Sequence, residues 1–268
     1  MTDLDATLAL ADEVVASFRR DGQVVVPGVV DASAAARLRD RLVHVVPGQA
    51  LDTRPLEERD TYGRAFLQAM NLWRVDDEIA AFVHAPRFAA LAAQLLEEPA
   101  VRLYHDQALW KEAGGGATPW HQDQVYWPLD TDRTITMWLA LDEVEQFDGG
   151  LRFVPGSHRD GALAGEAISD ESERRFEQLI ADGGLSIRPN PRMRPGDASF
   201  HLGWTLHGAA ANTSGRERAA MTVIWFADGA RLVEPDSPER RNDAATWLPG
   251  VDVGAAAASP LNPVLWPR

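Results

Sequence analysis

Apolar residues at Leu10, Val14, Val15 and Phe18 recur at three- and four-residue steps, which predicts a helix over 8–20 with one buried stripe. "DGQVVVPGVV" follows as a turn and a short strand. Asp31 then caps a second helix to about Val46, with Leu38, Leu42 and Val45 facing inward and Pro47-Gly48 as its stop. A third helix begins after Pro86 and ends near Glu98-Pro99, so the part over about 1–99 is mostly helical. Beyond residue 100 the pattern changes to short β-like runs. "AVRLYHDQALW", "TITMWLALDEV", "LRFVPGS", "LSIRP", "DASFHLG" and "AAMTVIWFA" read as short strands separated by Gly, Pro and Asp turns, the signature of a sandwich or barrel. A charged, helix-compatible segment from Ser169 to Asp182 interrupts them and is a candidate lid over one face. The tail after Asp236 has little periodicity and is expected to be extended, docked at Trp247 and Trp266.

Composition narrows the function. With 268 residues, 45% of them hydrophobic, the chain can bury a full core, and one domain over 1–268 is the expectation. A net charge of −14 repels phosphate backbones and anionic lipid surfaces, so neither nucleic acid nor a membrane is expected as a partner. Cysteine is absent, which excludes disulfides and thiolate chemistry; any metal must sit on His, Asp or Glu. The N-terminus shows no basic start followed by an apolar core, and no run of about 18 apolar residues appears, so a cytoplasmic location is expected. Lys111 is the only lysine.

The chemistry concentrates in "TPWHQDQVYW", residues 118–127. On a strand His121 and Asp123 share one face while Gln122 points away, so the pair can grip one side of an ion. His207, after a β-like run and before a Gly, is the favoured third ligand; His201, six residues earlier, is the alternative. Two imidazoles and one carboxylate on one face of an octahedron leave three positions open, as non-haem Fe(II) oxygenases require. Arg218, eleven residues after His207, can fork onto the carboxylate of a dicarboxylate cosubstrate. His105 shares a predicted strand face with Gln107 and is either a core residue or a pocket neighbour. His158 reads as a turn residue that supports the barrel, and His44 and His84 as surface residues on helices.

"PWHQDQVYW", "MWLALDEV", "DGGLRFVPGSHR", "RPGDASFHLGWTLHGAAANTS" and "RERAAMTVIW" together resemble the phytanoyl-CoA dioxygenase family of Fe(II)- and 2-oxoglutarate-dependent oxygenases. The likeness runs in order over roughly residues 15–230 and includes the opening phrase "RRDGQVVVPGVV". It implies a mainly β fold with flanking helices, a double-stranded β-helix or jelly roll, with its core over about 100–230. It also implies that His121, Asp123 and His207 hold Fe(II), and that Arg218 pairs with the 5-carboxylate of 2-oxoglutarate. Trp138, Gln107 and Thr118 fall where the family often touches the cosubstrate. O2 would be the co-reactant, with succinate and CO2 as products. Tyr126 and Trp127, just past the metal strand, are candidate substrate contacts.

The chain departs from the family at two places: Ala209 stands where many relatives have Ser two residues after the distal histidine, and Ala219-Ala220 follow Arg218 without a hydroxyl residue. Retention of Asp123 argues against halogenation, which needs room there for chloride. Trp110, Trp120, Trp127, Trp138, Trp204 and Trp225 suggest a dry pocket. The expected activity is hydroxylation of an unactivated carbon in a small metabolite of bacterial specialised metabolism. Cyclisation, epimerisation or desaturation with the same cofactors, and a zinc-dependent cupin-like hydrolase or isomerase, stay open, as does a catalytically silent ligand-binding barrel.

Overall fold

The structure is a computed structural model that describes residues 4–164 and 167–267. Its strands are β1 (Gln23–Val26), β2 (Leu67–Met70), β3 (Val101–Lys111), β4 (Thr118–His121), β5 (Thr134–Ala140), β6 (Leu151–Phe153), β7 (Arg188–Pro189), β8 (Ala198–Leu202), β9 (His207–Ala209), β10 (Arg218–Ala227) and β11 (Val264–Trp266). The helices are α1 (Asp12–Asp21), α2 (Ala32–Gln49), α3 (Thr61–Ala65), α4 (Asp77–Val83), α5 (Pro86–Leu96), α6 (Asp170–Asp182) and α7 (Pro238–Trp247).

The strands form two antiparallel sheets in a jelly-roll arrangement. The larger has seven strands in the order β1-β8-β5-β10-β3-β11, with β2 added alongside β3; the smaller runs β4-β9-β6-β7. Alternation divides the larger sheet by face. Ile135, Met137 and Leu139 of β5, Met221, Val223 and Trp225 of β10, and Ala198 and Phe200 of β8 pack in one core with α1, α2, α4 and α5. The opposite face, carrying Thr136, Trp138, Thr222, Arg218 and His201, looks into a cavity instead. One sheet therefore serves both stability and function, sorted by odd and even position.

Helix α5 shows the stability side. Pro86 presets its first turn, Glu97 ends it in a left-handed conformation, and Phe88, Leu91, Ala92 and Leu95 are all buried. The stretch Asp77–Leu96 is long and apolar enough by composition to cross a membrane, but it breaks between α4 and α5 and is mostly buried within the fold.

Several expectations need correction. Helix α1 starts at Asp12, not Leu8, because the Gln94 side chain holds the preceding residues extended: the Leu10 amide donates to Oε1, and Nε2 donates to the Leu8 carbonyl. Helix α2 runs through Pro47 to Gln49; near a C-terminus the proline costs only one amide. The tail is not extended throughout. Ser237 caps α7 by accepting from the Arg240 amide, and Pro238 occupies the first turn. Trp247 packs from α7 against the cluster around Tyr104 and Trp127, while Trp266 lies on β11 beside β3.

The segment Ser169–Asp182 is the helix α6 with Ser169 as its cap, joined in a reciprocal capping box with Ser172. Phe176 and Ile180 bury it against Trp120, Val154 and Leu206 on the outer side of the smaller sheet.

Candidate active site

A cavity of about 310 Å³ lies between the two sheets. Register builds its walls. Thr222 of β10 sits opposite Gln107 of β3 on one side and Trp138 of β5 on the other; one step along, Ile224 sits opposite His105 and Thr136, and Thr136 opposite His201. From the smaller sheet, β4 and β9 pair His121 with His207 and Thr118 with Ala209.

Strand β4 ends at His121, and Asp123 opens a 3-10 turn rather than continuing the strand. Gln122 between them is still extended, so the two side chains keep one face. Gln122 turns the other way, donating to the Gly161 and Trp204 carbonyls and accepting from the Leu163 amide.

The ligand atoms of His121, Asp123 and His207 lie within 4.8 Å of one another. Asp123 Oδ1 is 3.4 Å from His121 Nε2 and 3.7 Å from His207 Nε2. Donors at about 2.1 Å from one ion stand about 3 Å apart at right angles and about 4.2 Å apart when opposed, so both spacings fit a shared metal. The tautomers fit too. His121 Nδ1 is 2.8 Å from the Pro119 carbonyl and His207 Nδ1 is 2.9 Å from the Thr205 carbonyl. A carbonyl only accepts, so each Nδ1 holds the proton and each Nε2 presents its lone pair.

The other oxygen of Asp123 is held from behind. Thr136 Oγ1 donates to Oδ2 at 3.0 Å and His201 Nε2 at 3.1 Å. His201 therefore spends its Nε2 proton on the carboxylate and is no ligand; it positions one. Burial pushes the Asp123 carboxyl up, but the surrounding imidazoles, among which His201 donates a hydrogen bond to it, hold it well below the usual carboxylate range. Burial, with the neighbouring imidazoles of His121 and His201, drives His207 well below its ordinary value, which keeps it neutral for coordination.

Arg218 lies deeper. It is buried, its guanidinium carbon 5.1 Å from the centre of the Trp138 ring, and it donates to the Gly149 carbonyl at 2.9 Å. Its Nε is buried with no hydrogen-bond partner, an orphaned donor on a side chain that lines the cavity. Burial lowers Arg218 to about 10, which leaves it charged at neutral pH. Lys111, opposite it in register, is fully buried and is drawn down to about 6, first by burial and then by the Arg218 charge. Only glycine fits at 149: φ is +85°, and a Cβ would stand 2.3 Å from Lys111 Cδ.

Toward the mouth the wall becomes aromatic, with Tyr62, Phe66, Tyr126 and Trp127. The Tyr126 hydroxyl accepts from the Ile168 amide at 2.8 Å, joining the loop before α6 to the cavity. Gln68 donates to Gln107 Oε1 at 2.6 Å, a link made only when β2 pairs with β3.

All nine sequence-predicted residues line this one cavity: Gln107, Thr118, His121, Asp123, Tyr126, Trp127, Trp138, His207 and Arg218. The expected tryptophan shell is thinner than the sequence suggested. Trp127 and Trp138 line the cavity, whereas strand alternation turns Trp110 and Trp225 toward the helices and Trp120 packs beneath α6. His105 lines the cavity and His158 ties to α1 through the Arg19 carbonyl. Sequence reasoning missed Thr136, Gln68 and Asp243. Thr136 had a signal, being two residues before Trp138 on one strand face; the other two had none.

The sequence profile of the phytanoyl-CoA dioxygenase (PhyH) family matches residues 18–220. L-proline trans-4-hydroxylase of Streptomyces griseoviridis is 27% identical over 233 residues, covering 78% of this chain and 83% of that enzyme. Among solved structures, the non-heme alpha ketoglutarate dependent epimerase SnoN from nogalamycin biosynthesis superposes with a TM-score of 0.77 at 23% identity, covering 95% of this chain and 97% of its own. The carbocyclase SnoK from the same biosynthesis gives 0.74 at 24% identity, with 95% and 96% covered. Matched over most of its length, the chain belongs to the phytanoyl-CoA dioxygenase family of iron- and 2-oxoglutarate-dependent oxygenases.

Proposed function

We propose that His121 Nε2, Asp123 Oδ1 and His207 Nε2 hold Fe(II), and that Arg218 binds the distal carboxylate of 2-oxoglutarate. The convergence of three correctly protonated donors in the cavity whose depth holds an unpartnered Arg218 Nε carries this reading. Iron with 2-oxoglutarate and O2 supplies oxidative power at an unactivated C–H bond when bound. The chain's own groups do the rest. Thr136 and His201 orient Asp123, and the Pro119 and Thr205 carbonyls orient the two imidazoles. Trp138 covers the guanidinium, while Gln107 and Thr118 border the cosubstrate space. Tyr126 and Trp127 wall the side open to substrate.

The reaction we favour is hydroxylation of a small metabolite, the outcome named for the proline hydroxylase relative. The epimerase SnoN and the carbocyclase SnoK share this fold and serve other outcomes. The decisive experiment is anaerobic titration of Fe(II)-loaded protein with 2-oxoglutarate, followed by succinate formation on admitting O2. A visible charge-transfer band and succinate are expected from the wild type, and neither from Asp123→Ala. Protein that carries tight zinc and shows no band refutes the assignment.

A further inference from the structure

The substrate half of the cavity has its own charge pattern. Among the described residues Arg218 is the only arginine or lysine that lines the cavity, and the reading above commits it to the cosubstrate. A substrate carboxylate or phosphate would enter with no cation to meet it, at a cost no aromatic wall repays. What the outer half does offer is a carboxyl group, Asp243 on α7, with Asn242 beside it. Asp243 is buried, and its Oδ2 accepts from the Tyr104 hydroxyl at 3.0 Å. Burial pushes it up to about 7, against the lowering effect of the Tyr104 hydroxyl that bonds it.

His105 completes the corner. It is buried, lines the cavity, and lies 4.9 Å ring to ring from Trp247, with an Nδ1 that makes no hydrogen bond. Burial pushes the Tyr126 phenol up to about 12, with Asp123, Glu239 and Asp243 among its charged neighbours. Its aromatic face, with those of Tyr62 and Trp127, suits a cation.

We propose that the substrate carries a protonated nitrogen, which Asp243 binds against the aromatic wall while the carbon to be oxidised faces the His121, Asp123 and His207 cluster. This rests on the oxygenase reading of the same cavity. Asp243 is thus a specificity-determining residue, and acyl thioesters and simple carboxylic acids are excluded as substrates.

The test uses full-length protein loaded with Fe(II) and 2-oxoglutarate under nitrogen. Phenethylamine and its N,N-dimethyl derivative are titrated against 3-phenylpropionate, read by perturbation of the visible band. The amines should bind at least about tenfold tighter than the acid, the scale of one charge-assisted hydrogen bond. Asp243→Asn should erase that preference, while Tyr104→Phe, which removes a donor but keeps the carboxylate, should retain it. The 2-oxoglutarate titration of each variant reports folding. Amines that bind no better than the acid, or not at all, in protein that still forms the band overturn the inference alone; absence of the band overturns the oxygenase reading beneath it. Equal loss of preference in both variants would assign Asp243 to anchoring α7 and overturn its role in recognition.

Discussion

Thr136→Val tests how the metal cluster is held. The hydroxyl of Thr136 is one of two donors to Asp123 Oδ2, at 3.0 Å, the other being His201 Nε2 at 3.1 Å. Valine has nearly the same shape and favours a strand equally, so β5 should keep its register with β8 and β10. The loss is then one hydrogen bond to an ionised acceptor, about 1.5–3 kcal/mol, and a carboxylate freer to rotate. Metal affinity should fall roughly 10–100-fold, as it does when the outer partner of a ligand is removed. Anaerobic calorimetric titration with Mn(II), alongside urea unfolding of the metal-free proteins, separates the two losses. A folded variant that binds Mn(II) within twofold of the wild type would refute the claim that Thr136 positions Asp123.

Two further outcomes follow from the same geometry. Gly149→Ala forces a left-handed residue and a Cβ against the Lys111 stem, which should destabilise the fold by about 2–4 kcal/mol in urea. Because the Gly149 carbonyl accepts from Arg218, 2-oxoglutarate binding should weaken as well; unchanged affinity would detach Arg218 from that loop. His105 is lowered to about 4 by burial, so the unfolded chain takes up its proton first as pH falls below about 6.5. The wild type should therefore lose stability relative to His105→Phe between pH 6.5 and 4, at up to ~1.4 kcal/mol per pH unit. A stability difference that stays flat over that window would show the imidazole to be solvated.

The strands were legible in sequence as short β-like runs bounded by Gly, Pro and Asp turns, and the runs through β3, β5, β8 and β10 all formed. Helix ends were less legible. Gln94 holds the segment before α1 extended from 84 residues away, and α7 forms through a Ser-Pro start in a tail with weak periodicity. Tertiary partners settle such cases.

For the site, the chain alone carried the donors. His121 and Asp123 are two residues apart, so extended backbone suffices to align them, and the spacing from His207 to Arg218 placed both near one cavity. What needed the third dimension was everything that acts on those groups from another strand or helix. Thr136 and His201 reach Asp123 by pairing of β5 with β8, Gln68 reaches Gln107 through β2, and Asp243 enters the cavity on α7. The residues that bear the chemistry announce themselves by type and local spacing. Those that orient them or select a substrate are ordinary polar residues, and they are identified only once distant segments come within hydrogen-bonding distance.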